Sequence, residues 1–141
     1  MEESSLAAKL ETLGMPLAQP KGAMLFDQGQ PGTGAYILKS GAACLSLLNH
    51  QGAPVWSRVV RPGAILGLPS TIGDTPYSLR ATALETVELV FVPKRQVLEV
   101  MRQDPTLGTA LLRILSDELV DLRRKLSLLR LQAPSASAYC S

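Results

Sequence analysis

Hydrophobic residues change their spacing twice along the chain. In residues 5–13, leucine recurs at every third or fourth position, which is typical of one face of a short helix. Between residues 22 and 92, glycine and proline recur every few residues and separate short runs of β-forming residues. After Pro93 the spacing becomes helical again. The pattern predicts a mainly β domain that is flanked by helices.

The short runs between the turns indicate the strands of this domain. They cover residues 23–26, 35–38, 42–48, 55–60 and 87–92. In the last run, Val87, Leu89 and Phe91 share one apolar face, as expected for a half-buried strand. Many short strands joined by glycine and proline turns predict a sandwich or a barrel.

Two helices are predicted after the strands. The first covers residues 94–102, directly after Pro93. The second begins with Asp104 as its N-cap and Pro105 at its first position, and it runs to residue 131. A helix over residues 105–131 is about 40 Å long, which exceeds what one face of a domain of this size covers.

Leucines in the second half of this helix follow a heptad pattern. They are spaced by 4, 3, 4 and 3 positions, at Leu115, Leu119, Leu122, Leu126 and Leu129. This spacing is typical of the seam of a coiled coil. Burying one leucine contributes about 1.5–3 kcal/mol. Five leucines from each chain are enough to hold two chains together, so the seam predicts a parallel homodimer. The alternative is a helix that packs entirely on its own domain.

The composition limits the class of protein. A chain of 141 residues with 46% hydrophobic and 18% charged residues corresponds to one globular domain with its own core. The net charge of +2 is too small to indicate a nucleic-acid or membrane partner. The N-terminus is polar, and no apolar run approaches the length of a membrane span. These features predict a cytoplasmic protein.

The sequence offers little for metal or catalytic chemistry. His50 is the only histidine and lies in a predicted turn, while Cys44 and Cys140 are too few for an ordinary iron–sulfur cluster. The apolar run around Cys44 predicts a buried free thiol, and a disulfide with Cys140 is the alternative. The sequence contains no phosphate-binding loop, zinc-protease or serine-hydrolase motif. We predict a protein that is not an enzyme and has no metal or other cofactor.

Two glycine-spaced segments carry a family resemblance. The first is residues 25–41, with Gly29 and Gly41 as fixed points, and the second is residues 63–83. In their order along the chain, they resemble the cyclic-nucleotide-binding domain of the Crp/Fnr superfamily over residues 5–131. The resemblance implies a double-stranded β-helix, or jelly-roll, barrel with a short N-terminal helix and a long C-terminal dimerisation helix. Residues 1–131 are then one domain.

The second segment has the spacing of the family's phosphate-binding cassette. The family pattern is approximately Phe-Gly-Glu, a short helix, then Pro-Arg-x-Ala-Thr, in which the glutamate takes the ribose hydroxyl and the arginine the cyclic phosphate. This chain keeps three matching positions, Gly67, Ala81 and Thr82. Leu68 and Leu79 stand at the two charged positions. Because leucine leaves a buried phosphate without a countercharge, tight binding of cyclic AMP is not expected.

Arg80 is the residue that could take over the phosphate contact. Adjacent side chains of a strand point to opposite faces, so Arg80 is predicted to face away if Leu79 faces the pocket. A bulge that turned Arg80 inwards, together with the backbone amides of residues 67–70, would give a rewired site for cyclic AMP or cyclic GMP. The candidates for the ligand pocket are Gly67, Leu68, Pro69, Ser70, Leu79, Arg80, Ala81 and Thr82.

The cassette resembles that of superfamily members that do not use cyclic AMP. The resemblance implies a regulatory ligand-sensing and dimerisation module of the transcription-regulator type, with a small-molecule effector of unknown identity. A purely structural interaction domain is a further alternative. Family transcription factors continue into a helix-turn-helix domain, whereas residues 132–141 predict a flexible tail. We therefore expect no sequence-specific DNA binding by this chain alone.

Overall fold

Antiparallel strands make up most of the domain. The computed structural model describes residues 2–106, 108–109, 112–113, 116–117, 120 and 123–124. The strands are β1 (Met15–Gln19), β2 (Met24–Phe26), β3 (Gly34–Ser40), β4 (Ala43–Leu48), β5 (Pro54–Val60), β6 (Ile65–Leu66), β7 (Arg80–Ala83) and β8 (Val87–Pro93). The helices with defined bounds are α1 (Glu2–Glu11), α2 (Leu68–Gly73) and α3 (Lys94–Gln103). The prediction of a mainly β domain with flanking helices is confirmed.

The strands form two four-stranded sheets. Their orders are β1-β8-β3-β6 and β2-β7-β4-β5, and all of the pairings between neighbouring strands are antiparallel. In the first sheet, Tyr36 lies opposite Phe91 and Leu66. In the second, Leu45 lies opposite Arg58 on one side and Ala81 on the other. The consecutive strands β3 and β4 belong to different sheets, so the chain crosses from one sheet to the other between them.

Alternation along β3 divides the apolar core into two clusters. Tyr36 and Leu38 lie on the face that meets the second sheet, whereas Ala35 and Ile37 lie on the face that meets the helices. The inter-sheet cluster is formed by Phe26, Leu38, Ala43, Leu45, Trp56, Val60, Leu66, Tyr77, Ala81, Ala83, Val87 and Leu89. The helix-side cluster is formed by Ala7, Leu10, Ala35, Ile37, Ile65, Leu68, Val90, Val92, Val97 and Val100.

The first and third helices contribute to the helix-side cluster. In α1, Leu10 is 1% exposed, as the leucine periodicity predicts. Leu13, by contrast, lies past the end of α1 and is 37% exposed, so the predicted helix over residues 5–13 extends two residues too far. In α3, Val97 and Val100 are buried, and the helix ends one residue after the predicted end. No helix in the described part of the chain has the length and apolarity to cross a membrane.

The predicted long helix is described only in part. Asp104 accepts a hydrogen bond from the backbone N–H of Thr106 at 3.0 Å, which confirms it as an N-cap. The described positions between 105 and 124 are helical. Leu115, Leu119, Leu122, Leu126 and Leu129 lie outside the described residues, as do residues 132–141. The dimerisation helix, its seam and the tail therefore stay predictions.

Cys44 is buried in β4 but is not a free thiol. Its side chain is 2% exposed, and its Sγ lies 3.4 Å from the Oγ of Ser46. The residue is disulfide-bonded, so the prediction of burial is confirmed and the prediction of a free thiol is wrong. An apolar strand predicts how deeply a sulfur is buried, but it holds no information about whether a second sulfur reaches it.

Candidate functional site

The cassette, residues 63–83, links the two sheets through a short helix. It leaves β6, turns at Gly67 with a φ of 77°, forms α2 and turns again at Asp74 with a φ of 56°. It then passes Tyr77 and enters β7 in the second sheet. Gly67 lies against the ring of Tyr77, since a Cβ at this position would be 2.7 Å from Tyr77 Cε1. A glycine is required here by both the backbone angle and the close approach of the ring.

Tyr77 fixes the centre of the cassette to the first sheet. Its hydroxyl donates a hydrogen bond to the carbonyl of Gly34 at 2.7 Å and accepts one from the N–H of Gly34 at 3.3 Å. The residue is only 3% exposed. Its backbone N–H donates to the carbonyl of Gln30, and its carbonyl accepts from the N–H of Gly29. These contacts hold the segment after α2 against the loop of residues 27–31.

Stacked aromatic rings fill much of the space between the sheets. The ring of Tyr77 lies 4.1 Å from that of Phe26, which in turn lies 5.6 Å from that of Tyr36. The ring of Tyr36 is 4.9 Å from that of Phe91. Burial raises the pKa of the Tyr36 hydroxyl above its ordinary value. The region next to the cassette is therefore occupied by side chains and is suited to apolar contacts rather than to charge.

The two leucines of the cassette lie in different clusters. Leu68, in α2, is 2% exposed and belongs to the helix-side cluster. Leu79 is half-buried and packs against the inter-sheet cluster. Because a sheet separates these clusters, the structure does not bring Leu68 and Leu79 together as two walls of one pocket.

Residues 79–83 alternate between the inside and the outside of the second sheet. Ala81 and Ala83 are buried in the inter-sheet cluster, on the same side as Leu79. Arg80 and Thr82 point to the opposite face and are partly exposed. The candidate residues of this segment are therefore divided, with Leu79 and Ala81 inside and with Arg80 and Thr82 outside.

The candidates around Gly67 form the start of α2. Pro69 is exposed and has no N–H to offer to an anion, while Ser70 is buried at 4% exposure. The N–H and the hydroxyl of Thr71 both donate to the carbonyl of Gly67, at 3.1 and 2.8 Å. The carbonyl of Ser70 accepts from the N–H groups of Asp74 and Thr75, which closes the helix. The turn is stabilised internally, and neither Pro69 nor Thr71 offers a backbone N–H to a ligand.

Arg80 is held by a carboxylate on the loop that follows β2. Its Nε lies 2.8 Å from Oδ1 of Asp27, and its Nη2 lies 3.3 Å from Oδ2. The hydrogen bond from Arg80 lowers the pKa of Asp27, and the same bond raises the pKa of Arg80. Sequence reasoning missed Asp27 because nothing in the chain indicates that positions 53 residues apart pair. Sequence reasoning also missed that Tyr77 anchors the cassette. The only indication in the sequence was the position of this tyrosine directly after Pro76.

The Asp27–Arg80 pair predicts a small dependence of stability on pH. The folded-state pKa of Asp27 is lowered, so the stabilisation is present above the unfolded pKa and is lost as the pH falls through the folded value. Both side chains are partly exposed, at 27% for Asp27 and 37% for Arg80, so the contribution at neutral pH should be less than about 1 kcal/mol. Urea unfolding of wild type and Asp27→Asn should show this difference at pH 7 and its loss below about pH 4. A difference that grew on acidification would contradict the assignment.

The described part of the chain contains no cluster of three or more histidine, cysteine, aspartate or glutamate residues that could hold a metal ion. His50 lies exposed in the turn between β4 and β5. In that turn the side chain of Asn49 accepts hydrogen bonds from the backbone N–H groups of Gln51 and Ala53. The turn predicted at this position is confirmed, and it joins the antiparallel strands β4 and β5.

Comparison with known proteins places this fold among ligand-sensing domains. The model of the cyclic nucleotide-binding domain family matches residues 17–104. Among curated proteins, the chain is 31% identical over 116 residues to the transcriptional activator protein anr of Pseudomonas aeruginosa, covering 82% of this chain and 46% of that protein. The chain spans about half the length of the curated relatives it matches.

Solved structures agree with the family match. The Thermus thermophilus catabolite activator protein superposes with a TM-score of 0.75 at 24% identity, over 89% of this chain and 59% of that one. The sensor domain of the transcriptional regulator DNR from Pseudomonas aeruginosa superposes with a TM-score of 0.68 at 24% identity, over 85% of this chain and 81% of that one. At these identities the superpositions show the fold, while the family match covers most of the chain. The chain therefore belongs to the cyclic nucleotide-binding domain family, in the form that Crp/Fnr-type regulators use as a sensor domain.

Proposed function

We propose that the chain is a regulatory ligand-sensing and dimerisation module of the Crp/Fnr type, and that its cassette does not bind cyclic AMP tightly. The observation that carries this proposal is the inward position of Leu79, which packs on the inter-sheet cluster where the family resemblance expects an arginine. The only cation of β7, Arg80, lies on the outer face and is paired with Asp27. A phosphate placed beside Leu79 would lose its hydration without gaining a charge-assisted partner from the cassette.

The proposed sensor belongs to a regulator of transcription. Relatives of the chain are described as a transcriptional activator and as the sensor domain of a transcriptional regulator. We propose a cytoplasmic homodimer with an unidentified small-molecule effector and no resident cofactor. We expect no sequence-specific DNA binding by this chain alone, because the described helices α1 and α3 bury their apolar faces in the helix-side cluster. That the chain is not an enzyme also stays a prediction.

Titration with cyclic nucleotides tests the main proposal. Neither cyclic AMP nor cyclic GMP at micromolar concentration should raise the melting temperature of the wild-type protein. A ligand at 100 times its Kd would stabilise the fold by about 2.7 kcal/mol, which thermal unfolding resolves easily. Calorimetry would show directly whether heat is released on mixing.

A clear shift at micromolar nucleotide would favour the alternative of a rewired phosphate contact. In that case Arg80→Ala should abolish the shift while the protein stays folded. A shift that survived Arg80→Ala would place the nucleotide elsewhere in the domain and would contradict both versions of the site. The pairing of Arg80 with Asp27 argues against the rewired contact, since the guanidinium edge is already occupied.

The proposed homodimer depends on the leucine seam of residues 115–129. Leu122→Glu places a charge in the middle of a predicted coiled-coil seam, where like charges from two chains would meet. Analytical ultracentrifugation at micromolar concentration should show a dimer for wild type and a monomer for this variant. Val120→Glu is the matched control, because Val120 is 53% exposed and does not belong to the predicted seam. If Leu122→Glu stayed dimeric, the seam would be wrongly assigned.

The same variant separates a sensor from a purely structural interaction domain. If the barrel only carries the dimer helix, Leu122→Glu should remove all partner binding, and changes in the cassette should have no regulatory effect. If the domain is a sensor, cassette variants that stay folded should alter regulation while the protein remains dimeric. Comparing Leu122→Glu with Leu79→Ala in one regulatory assay distinguishes the two.

A further inference from the structure

The pairing of Arg80 with Asp27 has the geometry of a strong, two-point contact. The Nε and Nη2 of Arg80 face the two carboxylate oxygens of Asp27 at 2.8 and 3.3 Å. This edge of a guanidinium is also the edge that holds phosphates and carboxylates of ligands. An external anion that used this edge would therefore compete with Asp27 for the same donors.

Asp27 is held in place by its own loop. Its Oδ1 accepts a hydrogen bond from the N–H of Gln28 at 2.8 Å, and its backbone N–H donates to Oε1 of Gln30 at 3.0 Å. The side-chain amide of Gln28 in turn bonds both the N–H and the carbonyl of Leu48, at 2.9 and 3.2 Å. The carboxylate is thus positioned by contacts within its own loop, which Gln28 ties to the end of β4, as well as by Arg80.

We propose that Asp27 is a specificity-determining residue that excludes anionic ligands from Arg80. An incoming phosphate would have to break the two-point contact and would then lie beside a displaced carboxylate that the loop keeps nearby, which like-charge repulsion disfavours. Asp27 acts in this way as an internal substitute for a ligand anion. The inference rests on the proposed function, since it explains why Arg80, a cation within the cassette, does not restore tight binding of cyclic nucleotides.

The surroundings of Arg80 define what would bind if Asp27 lost its charge. Ser46, the register partner of Arg80 on β4, is buried, and its Oγ lies 3.4 Å from the Sγ of Cys44. The donor on the exposed face is therefore the guanidinium of Arg80, which suits a phosphate group, whether free or part of a nucleotide. The ligand class that Asp27 excludes is therefore phosphate and phosphate esters.

The experiment replaces Asp27 by an uncharged residue of the same shape. Asp27→Asn retains an oxygen for the Gln28 N–H but removes the charge that pairs with Arg80. Wild type, Asp27→Asn and Asp27→Asn/Arg80→Ala are titrated with inorganic phosphate, cyclic AMP and uncharged adenosine at constant ionic strength. The readouts are the melting temperature and the NMR signal of the Arg80 Nε–H group.

We expect Asp27→Asn to respond to phosphate or cyclic AMP at a concentration at least about tenfold lower than wild type, a gain that removing one close like charge can supply. The double variant should lose this gain, and adenosine should have no effect on any of the proteins. A response to phosphate alone would identify a simple anion site, and a response to cyclic AMP alone would identify a nucleotide site. Either supports the exclusion by Asp27.

Equal responses of wild type and Asp27→Asn would overturn the inference, as would a gain that persists in the double variant. If Asp27→Asn unfolded, Asp27→Ser would serve instead, because a serine hydroxyl still accepts from the Gln28 N–H. Failure of the proposed function would show in a different measurement. Wild type itself would then bind cyclic AMP at micromolar concentration, independently of how the Asp27 variants respond.

Discussion

Gly41→Ala should destabilise the protein far more than Gly52→Ala, although the two glycines have nearly the same backbone angles. Their φ values are 86° and 81°. A Cβ at Gly41 would lie 2.4 Å from the carbonyl oxygen of Thr86 and 2.9 Å from Cγ1 of Val87, whereas a Cβ at Gly52 would meet nothing within 4 Å. Both substitutions impose the left-handed strain, but only the first also forces the backbone at Thr86 to move.

The difference between these variants measures the packing at the crossing between the two sheets. The strain of a left-handed alanine costs about 1–2 kcal/mol, which is the expected loss for Gly52→Ala. For Gly41→Ala, overpacking adds about 1–3 kcal/mol or more, because the nearest atoms belong to a backbone and to a fully buried valine. Urea unfolding of wild type, Gly41→Ala and Gly52→Ala gives both losses of unfolding free energy, when the three curves are fitted with one common dependence on urea concentration. Equal losses would show that residues 41 and 86–87 are not in contact.

The sequence predicts this crossing only in part. Gly29 and Gly41 were identified as fixed points of the family resemblance, and both residues have the positive φ angles that tight reversals require. The reason that Gly41 lies against Thr86 is tertiary, since β3 enters one sheet and β4 the other. Local patterns report the backbone angle that a turn requires, but they hold no information about which distant segment packs on it.

Strands with a clear apolar face were predicted better than the edges of the sheets. The runs over residues 35–38, 42–48 and 87–92 lie within or next to β3, β4 and β8. The strand β1 was missed, because Met15 and Pro16 are exposed there and the segment pairs only with β8 at the edge of its sheet. An edge strand buries little apolar surface and so leaves only a weak alternation in the sequence.

The cassette shows where reasoning from the sequence reaches its limit. Strand alternation gave opposite directions for Leu79 and Arg80, and in the structure these side chains lie on opposite sides of β7. The expectation that Leu68 and Leu79 wall one pocket does not match their separate clusters. Strand alternation does not extend through α2, so the relative direction of Leu68 depends on how α2 packs on the first sheet.

Tyr77→Ala should cause one of the largest losses of stability among single substitutions in the cassette. The ring is 3% exposed and stacks on Phe26 at 4.1 Å, and the hydroxyl bonds both backbone groups of Gly34. Truncating a buried aromatic side chain costs about 3–5 kcal/mol. Thermal and urea unfolding should show a loss of this size, while far-UV circular dichroism should still report β structure.

Tyr77→Phe is the control that separates the ring from the hydroxyl. It keeps the stacking on Phe26 and removes only the two hydrogen bonds to Gly34, so we expect a loss of about 1–3 kcal/mol. If both variants lost the same amount, the hydroxyl alone would hold the cassette and the aromatic stack would contribute little. If only Tyr77→Ala lost stability, the aromatic stack would hold the cassette and the hydroxyl would contribute little.

Tyr77→Ala also tests whether side chains occupy the space that a ligand would need. Removing the ring leaves an apolar cavity next to Phe26 and Gly67, and cavities of this kind bind small aromatic molecules. Indole should therefore raise the melting temperature of Tyr77→Ala and leave that of wild type and Tyr77→Phe unchanged. If indole stabilised wild type equally, the region between the sheets would already contain an open pocket. The proposed sensor would then accept an uncharged effector without any movement of Tyr77.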